Sequence, residues 1–198
     1  LLDITSGVVI VPAGTPAGTY TIVYKLCETI NPTNCDPATI TVVVAAAPLL
    51  ATNDVYTGLN GAAGNSNAGN ALANDLLNGG TPTVGSAGNS TLAVNTPATP
   101  INGGFVPSLD INTGTVSVPP GTPAGTYTIS YKLCEKLNAG VTPSNCKDAT
   151  ITVTVDPTPI VATNDTIAGV NGATGNLSAG NAFTGDTING LPATTVNA

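Results

Sequence analysis

The chain contains the same long segment more than once. The segment LLDITSGVVIVPAGTPAGTYTIVYKLCE at positions 1–28 returns in the stretch that ends at Glu135, so that Glu135 corresponds to Glu28. A second block, ATNDVYTGLNGAAGNSNAGN from Ala51, returns as ATNDTIAGVNGATGNLSAGN from Ala162. Self-similarity at a fixed period indicates that one structural unit is built repeatedly, so the fold has to be predicted repeat by repeat.

The repeat boundaries divide the chain into three parts. Residues 1–48 are the C-terminal half of one repeat, 49–159 are a complete repeat, and 160–198 are the N-terminal half of the next. We expect either a section of a longer tandem array or a subunit that completes its repeats with neighbouring copies. A period of about 110 residues is too long for a solenoid unit and is typical of one β-sandwich per repeat.

The complete repeat has the pattern of a β-sandwich, with short apolar runs separated by Gly, Asn and Pro. Extended runs rich in Thr, Val and Ile lie at 54–57, 81–86, 91–95, 105–111, 115–118, 125–135 and 149–155. The segment 60–72, rich in Gly and Asn, predicts either a loop or a weakly formed strand pair. The predicted fold class is therefore all-β, with one antiparallel sandwich in each repeat.

Each repeat carries one pair of cysteines between its two longest predicted strands. The pairs are Cys27 with Cys35 and Cys134 with Cys146. Paired cysteines in a chain of this composition indicate disulfides and an oxidising compartment outside the cytoplasm. The alternatives are free thiols, which need a reducing compartment, and one metal site made of all four cysteines, which needs two distant repeats to converge.

The two cysteine pairs predict the same strand register, although seven residues separate the first pair and eleven the second. With Cys27 opposite Cys35, the facing pairs are Tyr24 with Ala38, Ile22 with Ile40, and Tyr20 with Val42. With Cys134 opposite Cys146, they are Tyr131 with Ala149, Ile129 with Ile151, Tyr127 with Val153, and Lys132 with Asp148. A one-residue slip would turn every side chain to the other face. We therefore predict a disulfide-closed hairpin in each repeat, with these four tyrosines in the core.

The composition excludes most catalytic chemistry and two classes of partner. The chain has no His, which removes the Ser-His-Asp triad, an imidazole base and His-ligated metals. Its net charge is −7, with four Lys and no Arg, which argues against nucleic acid and against anionic membranes. No stretch approaches about 18 consecutive apolar residues, so we expect no membrane insertion. The predicted protein is not an enzyme.

Paired acidic residues mark the start of each repeat. Asp54 and Asp165 belong to the ATND motif that follows the last strand of the preceding repeat, and Asp75 and Asp186 lie 21 positions further on. Together with nearby Asn oxygens, these carboxylates predict a calcium site at the junction, where an ion would stiffen an array. The alternative is that Asn-Asp makes Asx-turns without a metal, since only two acids can be placed at each junction.

These motifs together resemble a known class of repeat. ATNDT, GVNG and DTING, followed by PAGTPAGTYTI, YKLCE with its paired cysteines, and ATITVTV, are similar to the tandem Ig-like or cadherin-like repeats of giant cell-surface adhesins of the Bacteroidota. Such adhesins are associated with gliding motility and type IX secretion, and the resemblance covers essentially the whole chain. It implies a secreted cell-surface filament that adheres to a substratum such as surface polysaccharide. It also implies O-glycosylation at Asp-Thr-aliphatic sequences, which here contain Thr166 and Thr187, whereas the complete repeat has Val55 and Leu76 instead.

The predicted function is therefore structural: the repeat region of an extracellular filament or adhesin, whose partners are neighbouring repeats of the same chain or fibre. The first alternative is a fibre subunit that polymerises by strand complementation, because 160–198 and 1–48 are complementary parts of one repeat. Against it, the counterpart of 87–107 occurs in neither part. The second alternative is a secreted carbohydrate-binding module, which needs exposed aromatic side chains; the chain has five Tyr and two Phe, most of which the alternation buries.

Overall fold

The computed structural model describes residues 1–195, so the last three positions of the segment 160–198 lie outside it. Within the described residues no helix is long and apolar enough to cross a membrane. The chain folds as β-strands, in agreement with the predicted all-β class. The strands are β1 Gly18–Cys27, β2 Cys35–Val44, β3 Leu49–Leu50, β4 Asp54–Asn60, β5 Asn65–Asn70, β6 Leu76–Leu77, β7 Ser90–Thr96, β8 Ser108–Leu109, β9 Thr115–Val118, β10 Gly125–Glu135, β11 Cys146–Asp156, β12 Ile160–Val161, β13 Thr187–Ile188 and β14 Leu191–Pro192.

Residues 49–159 form a sandwich of two sheets. The larger sheet has the strand order β4-β11-β10-β7, and the smaller one has the order β5-β9-β8. The short strands β3 and β6 pair with each other beside these sheets. Alternation along β10 and β11 places every second side chain in the core, because successive residues of a strand point to opposite faces. The largest fully buried side chains include Tyr127, Tyr131, Ile129, Leu133 and Ile151 from the larger sheet, and Val116 and Val118 from the smaller.

The predicted hairpin register is confirmed in both repeats. In β1 and β2, Tyr20 pairs with Val42, and the pairing continues through Ile22 with Ile40 and Tyr24 with Ala38. In β10 and β11, the predicted partners of Tyr127, Ile129, Tyr131 and Lys132 are all observed. The difference in length between the two repeats lies in the loop between the paired cysteines, so the strands of the two hairpins keep the same register.

One pairing departs from the antiparallel prediction. Strand β4, the first long strand of the complete repeat, runs parallel to β11, the last one, with Ile151 opposite Asp54 and Asp156 opposite Asn60. Strand β4 therefore begins beside the middle of β11 and runs alongside it to the end of β11. The chain enters the repeat at one end of the sandwich and leaves it at the opposite end.

Two of the predicted strands are shorter or absent. The run 81–86 is irregular, because Thr83 donates its backbone N–H to the side chain of Asn89 and its carbonyl accepts from Ser90 instead of from a sheet neighbour. In the run 105–111 only Ser108–Leu109 is a strand. For the segment 60–72 the sequence allowed either a loop or a weakly formed strand pair. The structure has a strand there, β5, which pairs with β9 with a shift in register between Asn65 and Gly69.

The tyrosines of the first hairpin are more exposed than predicted. Tyr127 and Tyr131 are 2% and 0% exposed, whereas their counterparts Tyr20 and Tyr24 are 40% and 37% exposed. The reason is that residues 1–48 contain no counterparts of β3 to β7, and in the complete repeat this region supplies residues that contact the core tyrosines, such as Ala71 and Asp75 with Tyr131.

Candidate functional site

Both hairpins are closed by a disulfide at the end where the two strands join. Cys27 is bonded to Cys35 and Cys134 to Cys146, and the Cα atoms are 4.0 Å apart in each pair. No free cysteine remains among the described residues. Each bond ties the last residues of one strand directly to the first of the next, so the intervening loop is a closed ring held at one end of the sandwich.

A buried acidic pair lies at the start of the complete repeat. Asp75 is fully buried, and its Oδ1 accepts the backbone N–H of Thr52 at 2.7 Å. Its Oδ2 accepts the hydroxyl of Tyr131 at 2.9 Å. Asp54, at the first position of β4, is 6% exposed, and its Oδ2 has no hydrogen-bond partner. The pair therefore combines one satisfied carboxylate with one that is only half satisfied.

The surroundings of this pair disfavour ionisation of Asp54. Burial raises the pKa of Asp54 to about 6, and the neighbouring negative charge of Asp75 adds to the shift, although hydrogen bonds from Tyr56 and Tyr131 oppose it. Burial also raises the pKa of Asp75. The pKa of the Tyr131 hydroxyl is raised by burial and by Asp75, so this group stays a hydrogen-bond donor.

The counterpart of Asp75 anchors the start of the next repeat. Asp186 Oδ1 accepts the backbone N–H of Thr163 at 2.7 Å, which reproduces the contact between Asp75 and Thr52. Asp165, the counterpart of Asp54, is exposed in its half-repeat. The second acid of each predicted pair thus holds the ATND segment in place within its own repeat.

The acidic pair supplies fewer oxygen ligands than calcium binds in proteins. Calcium is bound by roughly six to eight oxygen ligands. Within residues 1–195 no group of three or more His, Cys, Asp or Glu side chains is placed to hold a metal. Both carboxylate oxygens of Asp75 already accept hydrogen bonds. In this pair, Asp54 Oδ2 is therefore the carboxylate oxygen without a hydrogen-bond partner. Calcium at Asp54, Asp75, Asp165 and Asp186 stays a prediction.

The Asn of the motif has a role that the sequence did not suggest. Asn53 Oδ1 accepts the backbone N–H of Thr150 at 2.9 Å, and its backbone carbonyl accepts from the side chain of Asn74 at 3.2 Å. Asn53 therefore bonds to the edge of β11, 97 residues away along the chain, rather than closing an Asx-turn of its own. This contact aligns the beginning of β4 with β11.

The two candidate glycosylation residues differ in accessibility. Thr166 is exposed, whereas Thr187 is half-buried in β13 and pairs with Val161. Modification of both residues stays a prediction, with Thr166 the more accessible of the two.

A hydrogen-bonded network in the disulfide loops was missed by the sequence analysis. In the complete repeat, Glu135 Oε2 accepts from the side-chain amides of Asn138 and Asn145, the latter at 2.7 Å. In the first hairpin, Glu28 Oε2 accepts from Asn31 at 2.9 Å and from Asn34 at 3.0 Å. The signal was present in the sequence, since both loops begin with E-x-x-N directly after the first cysteine and end with Asn before the second.

This network lies where consecutive repeats meet. Asn138 Oδ1 accepts the backbone N–H of Ala17 at 2.6 Å, and Asn145 Nδ2 donates to the carbonyl of Ala47 at 2.8 Å. At the opposite end of the complete repeat, Asn60 Nδ2 donates to Asn189 Oδ1 at 2.7 Å. Polar contacts thus join residues 49–159 to the segments on both sides.

The complete repeat offers little for stacking on a sugar. Of its four aromatic side chains, Tyr127 and Tyr131 are buried and Tyr56 is half-buried, which leaves Phe105 at 64% exposed. A single exposed ring does not form the platform that a carbohydrate-binding module requires.

Comparison with known proteins identifies no family. No protein-family model matches the sequence, and no curated protein matches it. Among solved structures, the human desmocollin-1 ectodomain is similar over 70% of this chain and 26% of its own, at 13% identity and a TM-score of 0.40. Domains EC3-6 of protocadherin gammaB7 are similar over 77% of this chain and 37% of their own, at 14% identity and a TM-score of 0.40. The chain thus spans well under half the length of these two structures, and such scores are too low to establish kinship.

Proposed function

We propose that this chain is a non-catalytic structural part of an extracellular filament or adhesin, in which disulfide-closed β-sandwich repeats follow one another along the fibre. The repeats of the sequence, the disulfide in each repeat and the polar contacts between consecutive segments support this role. The filament belongs to the cell surface of a bacterium of the gliding-motility type and adheres to a substratum such as polysaccharide. These last features rest on the resemblance of the motifs.

The parallel pairing of β4 with β11 is the observation that carries the proposal. Because the chain enters beside Asp54 and leaves beyond Asp156, the two connections of the repeat lie at opposite ends of one strand pair. Tension applied along the fibre pulls these two strands past each other. Their hydrogen bonds then share the load in shear, whereas strands pulled apart from one end break their bonds one after another. The topology suits a unit that transmits tension.

The disulfide adds to this resistance from inside the repeat. It joins β10 to β11, the two central strands of the larger sheet, at the ends nearest the loop. In the loop-entropy description, such a bond stabilises the folded state by about 2–3 kcal/mol, because it restricts the unfolded chain. While the disulfide is intact, the loop between Cys134 and Cys146 also cannot be stretched when the repeat unfolds under tension.

A second candidate is the self-assembling subunit. Its support is the exposure of Tyr20 and Tyr24 on a hairpin whose counterpart in the complete repeat is flanked by β4. The segment 160–198 of a second copy carries the counterpart of β4, with Asp165 at the position of Asp54. The array is the better supported proposal, because hydrogen bonds between consecutive segments of one chain are observed on both sides of residues 49–159.

The mass and thiol content of the native polypeptide separate these proposals. The protein is taken from its source, unfolded without reductant and assayed for free thiols, and its reduced mass is then measured. The array predicts no free thiols and a chain far larger than 19.3 kDa. A chain near 19.3 kDa would support the polymerising subunit, and free thiols at all four cysteines would refute the extracellular assignment.

A further inference from the structure

The loop inside each disulfide keeps the same three polar residues despite a change in its length. The loops differ in length, yet Glu28, Asn31 and Asn34 form the network that Glu135, Asn138 and Asn145 form in the complete repeat. The backbone bond that closes the ring is also the same, at 2.9 Å from Glu28 N to Asn34 O and from Glu135 N to Asn145 O. The arrangement therefore belongs to the loop itself.

Only one of the two networks touches a preceding segment. Glu135 and Asn138 are 5% and 2% exposed, whereas the residues of the first network are exposed to solvent. The difference is the contact with residues 1–48, where Ala17 donates to Asn138 and Ala47 accepts from Asn145. Because the exposed network has the same internal bonds, the amides are oriented before the preceding segment docks.

The glutamate explains how this orientation arises. Each Asn side chain has one amide N–H directed to the same carboxylate oxygen, so its remaining polar atoms face away from the loop. In the exposed loop, hydrogen bonds from Asn34 and Asn31 lower the pKa of Glu28, which keeps the carboxylate ionised as an acceptor. Fixing polar groups in advance lowers the entropy lost when a partner binds.

We propose that the Glu–Asn–Asn network of the disulfide loop is the docking site for the preceding repeat and fixes the orientation of consecutive repeats. The occupant is the backbone of a repeat of the same kind: the N–H at the end of its PAGTPAG turn and a carbonyl just after its last strand, as Ala17 and Ala47 provide here. The two Asn side chains bond to backbone atoms of the preceding repeat, so repeats with different surface side chains dock in the same way. This inference rests on the proposed array and names what sets its geometry.

The test compares the docked network with the exposed one in the same chain. Spin labels are introduced as noncanonical amino acids at Val23 in β1 and Val55 in β4, which are 73% and 67% exposed. The distance distribution between them is measured in the unsubstituted chain, in the double variant Asn138→Ala/Asn145→Ala, and in the matched control Asn31→Ala/Asn34→Ala.

We expect the distribution to broaden roughly twofold in the docked-network variant, because segments joined by few contacts move relative to one another. The control should match the unsubstituted chain. Equal distributions in all three chains, or equal broadening in both variants, would overturn the inference. If the double variant unfolds its loop, Glu135→Met, which has a similar size but no acceptor oxygen for the two amides, replaces it, with Glu28→Met as its control. If only the docking proposal is wrong, the distance distributions do not change as expected while the mass and thiol content still fit an array. If the array itself is wrong, the mass and thiol content show it.

Discussion

The hydroxyl of Tyr131 lies 2.9 Å from Oδ2 of Asp75 and joins the central strand β10 to the beginning of the repeat. The same oxygen atom of Tyr131 also lies within 3.3 Å of the carbonyls of Thr52 and Ala71. One side chain of the core thus interacts with three separate points of the segment that opens the repeat. This relationship makes the N-terminal and C-terminal halves of the repeat depend on each other.

Replacing Tyr131 with Phe should destabilise the complete repeat by about 1–3 kcal/mol, since it leaves a buried carboxylate oxygen without its donor. Chemical denaturation measures the change in the free energy of unfolding. The matched control is Tyr24→Phe, at the equivalent position of the first hairpin, which should change this free energy little. An equal loss in both variants would contradict the role given to the contact with Asp75.

Stability should fall as the pH rises, because of Asp54. Its pKa in the folded state is about 6, above the ordinary 3.8, so the folded state holds the proton more tightly than the unfolded state. The contribution is complete below pH 4 and is lost as the pH rises through 6, with an upper size of about 3 kcal/mol. Asp75 and the two neighbouring tyrosines face Asp54 and carry no positive charge. Thermal unfolding between pH 4 and pH 8 measures the effect.

The variant Asp54→Asn should weaken this dependence, leaving the part that comes from the raised pKa of Asp75, and should be more stable than the unsubstituted chain at pH 8. Asp165→Asn, at the exposed counterpart, should behave like the unsubstituted chain. A bound calcium ion would favour the ionised carboxylate and reverse the sign. The same titration in calcium and in chelator therefore tests the predicted metal site, and an identical curve in both would remove it.

Removing the disulfide of the complete repeat should cost about 2–3 kcal/mol of its stability. The double variant Cys134→Ala/Cys146→Ala is compared with Cys27→Ala/Cys35→Ala by denaturation of the complete repeat. The second variant should leave that transition in place. If neither variant shifts it, the bond contributes nothing to the stability of the sandwich.

Trypsin should digest the oxidised protein slowly, because the chain has four Lys and no Arg. One of these residues, Lys136, lies in the disulfide loop, and its Nζ donates to the carbonyls of Gly85, Ser86 and Gly88 at 2.9–3.3 Å. A cut after Lys136 would leave both pieces joined by the disulfide. Gels run with and without reductant measure the digestion, and rapid cleavage of the oxidised fold would argue against a role in transmitting tension.

Glycosylation should appear at Thr166 before Thr187, because Thr166 is exposed and Thr187 is half-buried. Intact mass of the native protein before and after chemical deglycosylation measures the total, and peptide mapping assigns it. An unchanged mass would remove the prediction, and modification of Thr187 alone would contradict the order.

The hairpins were predictable because their information is local. The cysteine spacing and the alternation of Tyr20, Ile22 and Tyr24 determine the register without reference to the rest of the chain. The parallel pairing of β4 with β11 was not predictable in this way, since it joins strands at opposite ends of the repeat sequence and leaves no periodic signal in either. The run 81–86 has strand propensity, but the side chain of Asn89 takes the hydrogen bond that a sheet partner would need.

In the candidate site, too, the local features were predictable from the sequence and the long-range contacts were not. The recurrence of Asp54 and Asp75 was visible, but their burial and the hydrogen bond to Tyr131 depend on three segments that meet only in the folded repeat. The E-x-x-N pattern of the loops was visible too, although its purpose follows only from the contact of Asn138 with Ala17. Repetition thus marks which residues matter, and the fold shows what they do.

Force spectroscopy on the complete repeat tests the central claim most directly. Handles at Leu49 and Pro159 load β4 and β11 in shear, whereas handles at Val55 and Thr152, which face each other where β4 begins, pull the same two strands apart from one end. We expect a clearly higher unfolding force for the handles at Leu49 and Pro159 at the same loading rate. An equal or lower force for that pair would contradict the proposal that the repeat is built to bear tension along the fibre.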